Sequence, residues 1–173
     1  IESCAFKGCT SLEEIKFDCQ IAEIKDETFF DCEQLKSIVI PSTVTKIGQN
    51  AFQKCYSLTN MEIPESVTQI KDYAFKECQS LSNVQLPSTL NSIGINLFEK
   101  CTSLVSISIP QSISSIPTST FEECSSLTEI IIPQSVTSIG DHVFSKCSAL
   151  AHIEIPSSIT IIPYHSFASC FAL

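Results

Sequence analysis

Cysteine and histidine are the side chains here best equipped to act as nucleophiles, redox groups or metal ligands, and the chain has ten of the first and three of the second. Eight of the cysteines, Cys9, Cys32, Cys55, Cys78, Cys101, Cys124, Cys147 and Cys170, recur at a strict step of 23 residues. A zinc site needs closely spaced ligand pairs such as C-x-x-C, and no such pair occurs. If the cysteines stack on rungs about 5 Å apart, their Cα to Cβ vectors run parallel and do not converge to the short Cβ separation a disulfide requires. All eight are therefore expected to be buried free thiols that pack as small hydrophobes. Cys4 and Cys19 lie outside the column, at positions where other repeats carry Asn50 or Ser42, and are expected to be the accessible thiols. His142 and His165 are also one period apart, which would stack their rings on adjacent coils with Asp141 beside the first. They are read as an exposed loop pair without a ligand, with a two-histidine metal or proton site as the alternative.

The same step governs two further columns. Phenylalanine falls at Phe6, Phe29, Phe52, Phe75, Phe98, Phe121, Phe144 and Phe167, and leucine at Leu12, Leu35, Leu58, Leu81, Leu104, Leu127, Leu150 and Leu173. The whole of residues 1–173 is thus one repeat array. Catalysis requires unlike groups to converge once, whereas a regular array repeats one environment many times. G-x-S-x-G, G-x-x-x-x-G-K-[ST], a glycine-rich dinucleotide turn and H-E-x-x-H are all missing. No catalytic, metal or cofactor residue is assigned, and the chain is read as non-enzymatic.

The elements that hold these columns can be read from local periodicity. Aligned on the period, the repeat is F-x-x-C-x-S-L-x-x-I-x-I-P-x-S-V-T-x-I-x-x-x-A. In "LTEIIIP", 127–133, inward Ile130 and Ile132 alternate with outward Glu129 and Ile131, the pattern of a short strand with one buried face. Proline closes that strand at Pro41, Pro64, Pro87, Pro110, Pro133 and Pro156, because it has no amide hydrogen to donate to a continuing ladder. Asp18 takes its place in the first copy. A second extended piece follows, "SVTSI" at 135–139, and then a turn of helix or 3₁₀ that carries Phe and Cys inward. Gly48, Gly94 and Gly140 share a column with Lys25, Lys71, Pro117 and Pro163. Proline fixes φ near −65°, so those glycines are not expected to mark a positive φ. One coil alone buries too little to offset the entropy of ordering it. Stacked copies pair their strands in parallel and merge the columns into a continuous core.

The motif L-x-x-I-x-I-P followed by S-V-T-x-I-G-x-x-A-F-x-x-C-x-S-L resembles the BspA-type leucine-rich repeat, over essentially the whole chain. The resemblance implies a repeat solenoid of about seven repeats: a right-handed leucine-rich repeat with a parallel β-sheet on one face and short extended, 3₁₀ or helical turns on the other. Seven strand segments can be counted, from Leu12 to Ile155. The family is rich in surface-exposed proteins of bacteria and protozoan parasites, several associated with adhesion, which implies a cell-surface or secreted location; a cytoplasmic one is the alternative. Both ends, "IESCAF" and "FASCFAL", fall inside a repeat, so the chain is expected to be a fragment of a longer protein.

Composition narrows the partners. The chain has ten lysines, no arginine and a formal net charge of −9, which argues against nucleic acid or an anionic membrane surface as partner. No run of apolar residues is long enough to span a bilayer. Two functions from different classes are weighed. One is a non-catalytic recognition module for a protein or glycoprotein ligand. The other is a structural spacer or scaffold without a dedicated ligand. For the first, the binding surface is placed on the outward columns of the strand: Glu14, Ser37, Asn60, Asn83, Ser106, Glu129 and His152 in one, Lys16, Val39, Glu62, Gln85, Ser108, Ile131 and Glu154 in the other. These columns mix acid, amide, hydroxyl, aliphatic and basic groups, whereas core columns barely vary. Val39 and Ile131 are the apolar members, with Glu62, Glu129 and Glu154 nearby, as in an interface with apolar anchors and a polar rim. Tyr56 and Tyr73 are expected to be surface aromatics, and Phe30 is unusual because its column otherwise reads Lys7, Gln53, Lys76, Glu99, Glu122 and Ser145.

Overall fold

In the computed structural model, which describes residues 1–173 throughout, the repeat builds a parallel-strand solenoid with two short strands in each of six coils. The L-x-x-I-x-I segment forms β1 (Glu14–Ile15), β3 (Ser37–Ile38), β5 (Asn60–Glu62), β7 (Asn83–Gln85), β9 (Ser106–Ser108) and β11 (Glu129–Ile131). The V-T-x-I segment forms β2 (Glu23–Ile24), β4 (Lys46–Ile47), β6 (Gln69–Ile70), β8 (Ser92–Ile93), β10 (Ser115–Ile116) and β12 (Ser138–Ile139). All pairing is parallel, with partners one period apart, as in Ile15 with Ile38 and Ile47 with Ile70. In the first ladder the strands pair by twos, β1 with β3, β5 with β7 and β9 with β11; in the second, β2, β4, β6 and β8 form one sheet and β10 with β12 another.

Two features depart from the reading of the sequence. The segment carrying Phe and Cys is a succession of turns and contains no helix. The seventh strand segment, 150–155, keeps its inward and outward alternation but enters no ladder.

The turns are hydrogen-bonded from coil to coil in the opposite sense to the strands. Strand-side amides donate to the preceding coil, as Lys36 does to the Glu13 carbonyl, whereas the turn amides of Glu27, Phe29 and Asp31 donate to Gln49, Ala51 and Gln53 of the following one. Aiming alternate amides along the array demands positive φ at two columns. Glu27, Asn50, Tyr73, Asn96, Ser119, His142 and His165 continue Cys4, while Asp31, Lys54, Glu77, Lys100, Glu123, Lys146 and Ser169 continue Gly8. Only one of these sixteen positions is glycine. The conformation disfavours L-residues and persists because the array over-determines it.

The core is one cluster running the length of the array. Phe29, Phe52, Phe75, Phe98, Phe121 and Phe144 are fully buried, and their rings stack with centroids 5.3 to 5.8 Å apart. Paired strands advance by about 4.8 Å, so the array curves with its strands on the inner side. Expected burial fails at the ends: Phe6 and Phe167 are half-buried, Cys170 likewise, and Cys9 is exposed, because each of these coils has a neighbour on one side only in this chain.

Gly48, Gly94 and Gly140 have negative φ, as the prolines of their column require. Their role is close approach. A Cβ on Gly94 would lie 2.2 Å from the Asp72 amide nitrogen, and one on Gly140 2.4 Å from that of Thr118. Glycine alternates with lysine or proline along the column.

Candidate functional site

A strand of pitch two, held by a buried central residue, must turn the flanking side chains to solvent. In β5, Met61 is buried while Asn60 and Glu62 are exposed. The same holds along the array, and all fourteen residues of the two outward columns are exposed, including His152 and Glu154 beyond the last paired strand. Val39 is 72% and Ile131 59% exposed. They lie four coils apart, roughly 19 Å at the strand spacing, and so do not form one patch.

The structure instead gathers a subset. Ser106 and Ser108, the smallest outward pair, floor a depression of about 620 Å³ bordered by Asn83, Gln85, Glu129 and Ile131. Glu65, Ser88 and Gln111, from the position after the proline, complete its rim. These three were missed from the sequence, although their column is as polar and variable as the strand columns. Glu14, Lys16, Ser37 and Val39 stand away from it, as do Asn60, Glu62, His152 and Glu154. Glu14 pairs with Lys16 at 3.3 Å, and His152 lies 3.8 Å from Glu154. Val105, 49% exposed, adds an aliphatic side chain that the strand pattern did not flag, one residue before β9.

The cysteine column packs inside the array. Cys55, Cys78, Cys101, Cys124 and Cys147 are buried free thiols. Each donates to the carbonyl of the phenylalanine 26 residues earlier, as Cys78 does to Phe52 at 3.1 Å. The thiol is thus a hydrogen-bond donor between coils as well as a small hydrophobe. Burial pushes these thiols and that of Cys32 up, Cys32 to about 11 and Cys147 to about 12. Cys4 and Cys19 are exposed, as expected of the off-column cysteines.

His142 and His165 stack with centroids 5.2 Å apart, and Tyr164 meets both edge-on. Asp141 is turned away to accept the Tyr164 amide at 3.1 Å. Phe30 is explained by its neighbours, since Lys7 and Lys54 place their ammonium groups 5.0 and 5.6 Å from its ring centroid, a favourable cation–π arrangement. No helix is long and apolar enough to cross a membrane.

The family model for the BspA type leucine rich repeat region matches residues 1–69 and 45–173, with six copies. No curated protein matches the sequence. Among solved structures, a leucine rich repeat protein of T. pallidum is similar over 77% of this chain and 73% of its own, at 29% identity and a TM-score of 0.65. A leucine rich cell surface protein from Faecalibacterium prausnitzii is similar over 99% of this chain and 67% of its own, at 26% identity and a TM-score of 0.67. A leucine-rich repeat protein from Eubacterium ventriosum, 21% identical over 82% of this chain and 54% of its own, shares the fold at a TM-score of 0.61.

Proposed function

The chain belongs to the BspA-type leucine-rich repeat family, and from that premise we propose that it is a non-catalytic recognition module, displayed at the cell surface, that binds a protein or glycoprotein through its strand-lined face. The observation that carries this reading is the contrast between a core whose phenylalanine, cysteine and leucine columns repeat unchanged and an exposed inner face whose side chains change from coil to coil, with Val39 and Ile131 among them as aliphatic groups in solvent. A curved, coil-to-coil bonded array presents such side chains on a rigid frame, which lowers the ordering cost of binding. Surface display rests on the similarity to the Faecalibacterium prausnitzii cell surface protein.

The test is binding of the purified chain to epithelial cells and to immobilised extracellular-matrix glycoproteins, with Val39→Asp and Ile131→Asp as variants. Both side chains are exposed, so the melting temperature should stay nearly unchanged while binding is lost. Lys54→Gln and Lys100→Gln, on the turn side, should bind normally. Full binding by both strand-face variants, with the fold intact, would move the ligand elsewhere and favour a spacer or scaffold.

A further inference from the structure

The strand face changes character along the array. In the equivalent segments 13–19 and 36–42 the first two coils carry Lys16 and Lys36 beside Glu13, Glu14 and Asp18, whereas segments 59–65, 82–88, 105–111, 128–134 and 151–157 contain no lysine, one histidine and four carboxylates, Glu62, Glu65, Glu129 and Glu154. The later lysines, Lys54, Lys71, Lys76, Lys100 and Lys146, all follow the second strand or sit in the turns. The depression over Ser106 and Ser108 opens in this lysine-free stretch, above the interruption where neighbouring β7 and β9 do not pair. None of the chain's eight ion pairs involves a residue lining the depression. Glu65, on its rim, is oriented by Ser88, whose amide and hydroxyl both donate to one carboxylate oxygen, at 3.0 and 2.8 Å. The other oxygen has no protein donor.

Resting on the recognition reading, we propose that this depression takes an extended segment of a protein ligand that carries basic side chains. Charge complementarity selects the occupant: an acidic partner would face two carboxylates and no cation in the lining, whereas ammonium or guanidinium groups would supply the cations this surface lacks. Glu65 and Glu129 are three coils apart, about 14 Å along the array, and five repeat positions apart across it, up to about 16 Å, so an extended chain spans the roughly 20 Å between them in about six residues. Two basic residues at that spacing reach both carboxylates, an aliphatic residue between them meets Ile131, and Asn83 and Gln85 offer amides to the ligand backbone.

The probe is a short synthetic peptide with two lysines about six residues apart on a serine and valine background, titrated into the isotope-labelled chain and followed by amide chemical shifts. Shifts should centre on 83–85, 106–108 and 129–131. Affinity should fall about fivefold with Glu129→Lys and comparably on raising the salt, since exposed charge pairs are weak and screened. The same peptide with serine for lysine should bind at least about fivefold more weakly. Equal binding by the serine peptide would overturn the basic-ligand proposal, as would shifts scattered over the turn-side carboxylates and indifferent to Glu129→Lys, or binding by neither peptide. If Val39→Asp or Ile131→Asp still abolishes cell binding in those cases, the recognition reading survives without this one.

Discussion

Phe75→Ala tests the stacked array at its centre. Phe75 is fully buried, with the ring of Phe52 at 5.4 Å on one side and that of Phe98 at 5.6 Å on the other. Its backbone is pinned as well, because its amide donates to Leu97 and its carbonyl accepts the Cys101 thiol. The surrounding coils therefore cannot collapse into the space left by the ring. A truncation of this kind costs about 3 to 5 kcal/mol, which includes two aromatic contacts of about 0.5 to 1.5 kcal/mol each. Phe6 and Phe167 are half-buried and each stacks on one ring only, so the same change there should cost roughly half as much. At about 2 to 4 °C per kcal/mol for a chain of this size, Phe75→Ala should lower the melting temperature by about 6 to 20 °C and either end variant by about half of that. Thermal denaturation followed by circular dichroism compares the three. Equal losses would refute the argument that stability is shared between neighbouring coils.

Gly94→Ala should cost about 1 to 3 kcal/mol, because its Cβ would overlap the backbone of Asp72; Lys71→Ala, in the same column, should stay within about 0.5 kcal/mol, and chemical denaturation separates the two. Stability should also fall above about pH 9. Cys32 and Cys147 titrate at about 11 and 12 in the folded chain, so between the ordinary thiol range and these values the unfolded chain has lost protons that the folded chain keeps. Melting temperatures measured from pH 7 to 11 check this, and a flat profile would contradict it. A thiol reagent applied to the native chain should modify Cys4, Cys9 and Cys19 at once and the fully buried cysteines only on unfolding.

Period and burial were legible in the sequence because they are properties of columns. A residue type that recurs every 23 positions while its neighbours vary must occupy the same packed place in each coil, so Phe29 to Phe144 and Cys32 to Cys147 could be placed inside. The proline column likewise excluded a positive φ at Gly48, Gly94 and Gly140. The strand's pitch of two then put Val39, Ile131 and the rest of the outward columns in solvent without any knowledge of how coils stack.

Properties that arise between coils needed the tertiary structure. The positive-φ columns hold glutamate, lysine, asparagine and histidine in place of glycine, because there the conformation is imposed by bonds to the next coil and not by local preference. The thiol of Cys78 finds its acceptor 26 residues away, a distance no local pattern signals, and the glycine column reveals its purpose only when the backbone of the preceding coil is seen beside it. The unpaired step between β7 and β9, the depression above it and the recruitment of Glu65, Ser88 and Gln111 to its rim depend on how three or four successive coils are set against one another. A periodic sequence specifies the single coil and the fact of its stacking; the small offsets between coils, which shape the surface a ligand would meet, are decided by packing across the array.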